Sequence, residues 1–254
     1  MEETVHVTLI ANAGVLLEYR GTTLLLDGIY GAEGHPFSNL SADVWQQLLE
    51  GKPPFETIDY LLFSHAHPDH CSPRMTEEYL RRRKVKGVFL PNTRSVRESG
   101  LPALLKEEKI PSILLSGQTD RAVFRIEPHI TVRAFTTLHL DETFRHVHHF
   151  CYLISFDEKH MLFTADVDYI HEDLSQIRRF PLRAAFVNPL FFSELRRRRF
   201  FKGELKAETL CIYHVPFSGE DGMQIRSALA NNMVHFPPEQ KTIVLCDALQ
   251  RIEL

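Results

Sequence analysis

Apolar positions fall into short runs broken by turn residues, a pattern that predicts strands alternating with helices. Val5 to Ile10, Gly14 to Tyr19 and Thr22 to Leu26 read as successive strands. Arg20-Gly21 turns the chain between the second and third, and the third ends at Asp27-Gly28. Ile58 to Phe63, Ile130 to Thr137 and Thr209 to Tyr213 are further strands, while Cys151 to Phe156 and His160 to Thr164 make a hairpin through Asp157-Glu158-Lys159. Helical spacing predicts Ala42 to Leu49 with Ser41 as its cap, Pro73 to Arg82, Thr93 to Glu107, His171 to Arg179 and Glu220 to Asn231.

The chain echoes itself. The hairpin ending at Asp27 resembles the one running into Asp166, and the strand before Ser64-His65 reads like the one before His214. Such an echo is the footprint of two related α/β halves, with chemistry along the edge where strands end. The expected architecture is an αββα sandwich formed by one domain over residues 1–254.

Composition narrows the class. At 254 residues with 44% hydrophobic and 24% charged residues, the chain has the make-up of a globular enzyme. A net charge of −4 supplies no field for nucleic acid. Met1-Glu2-Glu3 lacks the basic start of a signal peptide and no apolar run is long enough for a membrane span, so a cytoplasmic protein is expected. Cys71, Cys151, Cys211 and Cys246 form no close pair, which argues against disulfides; Cys211 and Cys246 read as core residues and Cys71 as packing beneath the loop it ends. Arg81-Arg82-Arg83-Lys84 closes a helix, where cations suit the dipole, and Arg196 to Arg199 with Lys202 read as a solvated face.

The chemistry concentrates in Ser64-His65-Ala66-His67-Pro68-Asp69-His70, directly after an apolar strand. In an extended segment His65 and His67 project to one side, and Asp69 with His70 can supply an oxygen and a nitrogen to a neighbouring position. Two adjacent divalent ions could be held.

This segment resembles the signature H-x-H-x-D-H of the metallo-β-lactamase fold superfamily, and the resemblance covers nearly the whole chain. It implies that His65, His67 and a later histidine hold one zinc, that Asp69, His70 and a last histidine hold the other, and that a later aspartate bridges them. His139, after Thr136-Thr137-Leu138, fits the later histidine better than His146, His148 or His149; His149 is expected at the pocket mouth. Asp166 in Thr164-Ala165-Asp166 fits the bridging position, with Ala where the family usually has Gly, and Asp168 is left as a turn residue. His214 fits the last ligand. Asp27 matches an early carboxylate that orients a ligand imidazole.

The implied activity is metal-dependent hydrolysis of a small ester, thioester, amide, lactone or phosphodiester, with two zinc ions activating water and iron or manganese as substitutes. Asp69 would orient the water and carry its proton. His67 in place of glutamate disfavours flavodiiron chemistry. The inserted segments of ribonuclease Z and the helical substrate domain of glyoxalase II are not found. The alternatives are a mononuclear iron oxidoreductase resembling persulfide dioxygenases, and a metal-binding protein without catalysis.

Overall fold

The computed structural model describes residues 3–31, 37–117, 120, 122–171, 174–192, 205–235 and 239–254. One seven-stranded sheet contains β1 (His6–Ala11), β2 (Gly14–Tyr19), β3 (Thr22–Leu26), β4 (Tyr60–Leu62), β5 (Gly87–Pro91), β6 (Ser112–Leu115) and β14 (Arg251–Glu253), in the order β14-β1-β2-β3-β4-β5-β6. The other contains β7 (Val123–Glu127), β8 (Ile130–Thr137), β9 (His149–Phe156), β10 (Lys159–Phe163), β11 (Leu182–Val187), β12 (Ala207–Ile212) and β13 (Lys241–Val244), in the order β13-β12-β11-β10-β9-β8-β7. Four helices, α1 (Ala42–Glu50), α2 (Pro73–Arg82), α3 (Arg94–Arg97) and α4 (Leu101–Glu107), pack on the first sheet, and α5 (Ile225–Met233) packs on the second.

Residue alternation explains these layers. Val15, Leu17, Leu24 and Leu26 meet Val132, Tyr152, Ile154 and Phe163 between the sheets. Their neighbours Leu16 and Leu25 face outward onto helix residues Leu48, Leu80 and Leu104, and Leu162 and Leu210 do the same beneath Leu229. Both faces of the central strands are therefore covered, and the strands read as unbroken apolar runs. The αββα sandwich is the observed architecture. Among the described residues, no helix is long and apolar enough to cross a membrane.

The two halves share one wiring. β1, β2 and β3 pair antiparallel and β3 to β6 parallel; β8, β9 and β10 pair antiparallel and β10 to β13 parallel. The hairpin echo is thus correct, since β2 and β3 correspond to β9 and β10. The second echo is off by one strand: β4, which precedes His65, corresponds to β11, and β12, which precedes His214, corresponds to β5.

Several helix boundaries also differ from expectation. The helix expected over Thr93 to Glu107 divides into α3 and α4, because Pro102 has no amide hydrogen and suits only a first helical turn. Around His171 to Arg179 the described residues hold only the 3₁₀ turn Ser175–Ile177; the Asp168 carboxylate accepts the amides of Ile170 and His171, so it has the expected turn role. α5 starts at Ile225 rather than Glu220 because the Asp221 carboxylate takes the Ile225 and Arg226 amides, both at 2.8 Å. Cys71 is buried beneath its loop, whereas Cys246 is only partly buried, packed at the margin of the core over the second sheet. The arginine run from Arg196 lies outside the described residues.

Hydrogen bonds stitch the sheets together where the histidine motif begins. Tyr152 on β9 donates to the Phe63 carbonyl at 2.8 Å, and the Phe150 amide donates to the Ser64 carbonyl at 3.0 Å. Tyr152→Phe leaves a buried carbonyl without its side-chain donor, so urea unfolding should show a loss of about 1–3 kcal/mol with unchanged denaturant dependence.

Candidate metal centre

Each candidate side chain leaves the end of a strand along one edge of the sandwich. Beyond β4 the chain runs through His65 and His67 with bends at Ser64 and His67, then turns over Pro68-Asp69, with the amides of His70 and Cys71 both donating to the His67 carbonyl. The turn sends Asp69 and His70 to the other side of the motif. His139 follows β8 and pairs with Val167 in an isolated bridge, closed by Leu140 N to Asp166 O at 2.7 Å and Asp168 N to Leu138 O at 2.8 Å. That short ladder fixes His139 beside Asp166. His214 follows β12 and donates its amide to the Asn12 carbonyl at 2.9 Å, across the two sheets.

The result is two donor clusters sharing one carboxylate. His65, His67, His139 and Asp166 offer atoms within 4.8 Å of one another, and so do Asp69, His70, Asp166 and His214. Asp166 Oδ2 lies 3.8 Å from His65 Nε2, 3.6 Å from His139 Nε2 and 3.3 Å from His70 Nε2, while its Oδ1 lies 3.4 Å from His214 Nε2. Asp69 Oδ2 is 3.5 Å from His214 Nε2 and 3.7 Å from His70 Nε2. All seven residues expected to meet do so.

The donor set fits divalent cations. His65 Nε2 faces His67 Nδ1 at 3.1 Å and His70 Nε2 faces His214 Nε2 at 3.2 Å, and paired imidazole nitrogens need a proton or a cation between them. His139 Nε2 is buried with no hydrogen-bond partner. Nitrogen-rich donors mixed with carboxylate oxygens suit zinc and also iron or manganese. One contact must adjust on loading. The Asp141 amide donates to His139 Nδ1 at 3.1 Å, so the proton of a neutral ring sits on Nε2 and has to move before that atom can ligate.

Asp27 controls the ring tautomers. Its carboxylate accepts the Ser64 amide at 2.7 Å, the Ser64 hydroxyl at 2.5 Å and His70 Nδ1–H at 2.9 Å. The Ser64 oxygen, its hydrogen committed to Asp27, accepts from His65 Nδ1 at 3.0 Å. In their neutral forms both histidines thereby present bare Nε2 atoms to the centre. Asn12 steadies the opposite side, its amide nitrogen 3.1 Å from the Asp69 carbonyl and 3.3 Å from Asp69 Oδ2.

His149 corrects an expectation. It is fully buried behind the centre, not at the pocket mouth. Its Nε2 accepts the Asp166 amide at 3.0 Å and its Nδ1 meets the Thr137 hydroxyl at 2.7 Å, so both nitrogens are committed to protein and neither can ligate. The sequence signal for this role is its strand-start position opposite Thr137, which the register β8–β9 pairs directly. Ala165, standing where glycine is usual, takes φ +45° and is clamped by Tyr213 Oη on its amide at 2.7 Å and Asn188 Nδ2 on its carbonyl at 2.9 Å.

Burial and charge set opposing protonation preferences. Burial pushes the His65, His67 and His149 imidazoles down, His67 to about 4 and His149 to about 3, with neighbouring histidines adding repulsion. Burial acts the same way on His70, but Asp69 and Asp166 outweigh it and hold its pKa well above the ordinary histidine range. Burial opposes ionisation of Asp69 and Asp166 as well, yet the surrounding His70 and His214 drive both below the usual carboxylate range.

The model of the beta-lactamase superfamily domain matches residues 36–251, and the chain belongs to that family. Solved structures of similar fold include Igni18, a metallo hydrolase from the archaeon Ignicoccus hospitalis, at 14% identity and TM-score 0.64, covering 99% of this chain and 98% of that one. An isothiocyanate hydrolase from Delia radicum gut bacteria is similar at 15% identity and TM-score 0.64, over 97% of this chain and 98% of that one. CmlA, a diiron beta-hydroxylase from Streptomyces venezuelae, is similar at 20% identity and TM-score 0.59, over 100% of this chain and 54% of that one. Comparison with curated proteins gives no match.

Two expectations follow from this geometry. Asp27→Asn can no longer accept three hydrogen bonds with charge, so the rings of His65 and His70 lose their fixed tautomers; metal affinity should fall roughly 10- to 100-fold, read by competition with a chromogenic chelator. In chelator-stripped protein, groups with depressed histidine pKa values bind protons in the unfolded chain first. Their contribution to stability is complete above about 6.5, the unfolded value, and is lost as pH falls toward 4 for His67 and 3 for His149. Denaturation midpoints measured from pH 7 downward should therefore decrease, and less steeply in His149→Gln.

Proposed function

We propose that this chain is a metal-dependent hydrolase of small molecules using a dinuclear, zinc-type centre. The observation that carries the reading is the pair of donor clusters joined by Asp166, at the floor of a cavity of about 460 Å³ lined by Asp69, His67, His139, Asp166 and His214. That volume lies within the range of small-ligand sites.

His65, His67, His139 and Asp166 would hold one ion, and Asp69, His70, His214 and Asp166 the other. Bound there, divalent cations supply Lewis acidity that polarises a substrate oxygen and acidifies water. Asp69 is the base. Its carboxylate is kept ionised by His70 and His214, faces the cavity and is held by Asn12, so it can accept a proton from attacking water. As the water oxygen bonds to the carbonyl carbon, the bond to the leaving oxygen, nitrogen or sulfur breaks, and the proton on Asp69 passes to the leaving group. His70, its Nδ1–H donating a hydrogen bond to Asp27, stays fixed during this transfer.

A second reading is favoured by one observation, the similarity of fold to a diiron hydroxylase. The same donors suit iron, and oxygen consumption in the iron-loaded chain would distinguish oxidation from hydrolysis. A single-iron centre is disfavoured by the presence of two clusters rather than one.

The test is metal analysis of protein purified without added metal, joined to a panel of ester, thioester, amide, lactone and phosphodiester substrates. About two ions per chain and turnover of at least one substrate class are expected. Asp69→Asn should keep the ion held by the other three histidines, weaken its partner, and lower hydrolysis by roughly a hundredfold or more. Full occupancy and full turnover in that variant would remove Asp69 from the mechanism.

A further inference from the structure

We infer that the substrate is two-faced, with an apolar body on one side of the scissile bond and an oxyanion such as a phosphate on the other. The catalytic part of this inference rests on the hydrolase reading; the anion-binding part does not.

Beyond the donor residues, the cavity wall is mostly apolar, formed by Phe37, Leu140, Phe144, Pro189, Leu190 and Ile225, with Asp141 and Asn188 as its polar members. The apolar side chains can cover an acyl or aryl group and hold no charge. On the other side of His67 lies a separate groove of about 520 Å³, and His67 lines both. Arg94, Arg97, His146 and His148 border that groove together with Asn92 and Ser95, and its described lining includes no carboxylate.

Both guanidinium groups are anchored at one end. Arg94 uses Nε for Glu98 at 2.8 Å, while one terminal nitrogen of Arg97 donates to the Asn92 carbonyl at 3.1 Å and to its side-chain oxygen at 2.9 Å. Each therefore keeps further N–H groups for an incoming anion, with geometry suited to bidentate contact. His146 and His148, exposed across the groove, add imidazole donors.

One loop separates the two environments. Leu140 and Phe144 give the cavity its apolar wall, and His146, Val147 and His148 face the groove. The ridge is braced by Val147 N to Phe144 O at 2.9 Å and by the Phe144 ring against His67, with centroids 4.6 Å apart. A bond cleaved at the clusters thus has an apolar compartment on one flank and a basic one on the other. Hydrolysis would leave an apolar acid in the cavity and release an anion-bearing alcohol or thiol through the groove.

The probes are phenyl hexanoate and its counterpart carrying a phosphate para to the ester oxygen, each hydrolysed by the metal-loaded full chain with hexanoate as the measured product. Phenyl phosphate is titrated in parallel, with binding followed by calorimetry. The phosphorylated ester should show kcat/KM about tenfold or more above the neutral one, carried by KM and shrinking with added salt. In the double variant Arg94→Glu, Arg97→Glu the ratio between the esters should fall to about one or below, and Arg94→Lys, Arg97→Lys should restore part of it. Equal kcat/KM for the two esters, with no arginine-dependent binding of phenyl phosphate, would overturn the groove and leave the hydrolase reading standing. Arginine-dependent binding of phenyl phosphate without hydrolysis of any ester in the panel would do the reverse.

Discussion

The buried carboxylate of Asp27 is the constraint on which the centre depends. It touches none of the facing donor atoms, yet it accepts the Ser64 amide and hydroxyl and the His70 ring proton. Through Ser64 it also sets the proton on His65. Four groups on the loop after β4 therefore take their orientation from one side chain. The backbone of Asp27 lies at φ +47°, a conformation costly for a residue with a side chain, and it persists because those hydrogen bonds over-determine it. Gly14 is required behind it: a β-carbon there would come within 2.9 Å of the Asp27 carbonyl.

Electrostatics gives the same centre its preference for cations. Three carboxylates, Asp27, Asp69 and Asp166, stand within one buried group of imidazoles, and burial alone would favour their neutral forms. For Asp69 and Asp166 the histidines close to them reverse that preference, and His70 takes up positive charge in return. A divalent cation can replace that compensating proton while also satisfying the facing nitrogens of His65 and His67. His149 makes the arrangement tolerable from behind, since its neutral ring accepts the Asp166 amide without adding charge.

Much of this was legible in the sequence because local chemistry dictated it. The strand hairpins have turn residues and doubly covered apolar runs, and the motif His65 to His70 carries its ligands within one loop. What stayed hidden was set by distant partners. β6 and β7 are short and largely exposed despite their apolar residues, and β14 is a three-residue edge strand whose existence depends on β1. Of the helix expected from His171 the described residues keep only the Ser175–Ile177 turn, with the His171 amide held by Asp168, and His149 could not be placed behind the centre without the register of β8 on β9. The mismatched strand echo has the same origin, since a histidine after a strand looks identical whichever parallel strand it follows.

The duplicated architecture explains how one centre obtains both a bridging carboxylate and its support. In each half the hairpin ends in a left-handed residue, Asp27 after β3 and Ala165 after β10. The equivalent turns place their carboxylates one residue apart. In the first half the carboxylate belongs to the left-handed residue itself and lies behind the histidines, where it accepts the His70 Nδ1–H directly and holds His65 through Ser64. In the second half the left-handed position is given to Ala165, whose amide and carbonyl are clamped by Tyr213 and Asn188, and the carboxylate moves to Asp166, between the clusters. A glycine at 165 would relieve the torsion but free the turn, so the alanine is consistent with a position held by its clamps rather than by backbone permissiveness. Asn12 and His214 repeat the device where the sheets meet, at φ +51° and +61°, and their backbone hydrogen bond joins the two halves. Four left-handed residues, Asn12, Asp27, Ala165 and His214, thus stand where the halves converge, and the packed sheets on either side supply the stability that sustains their torsional cost.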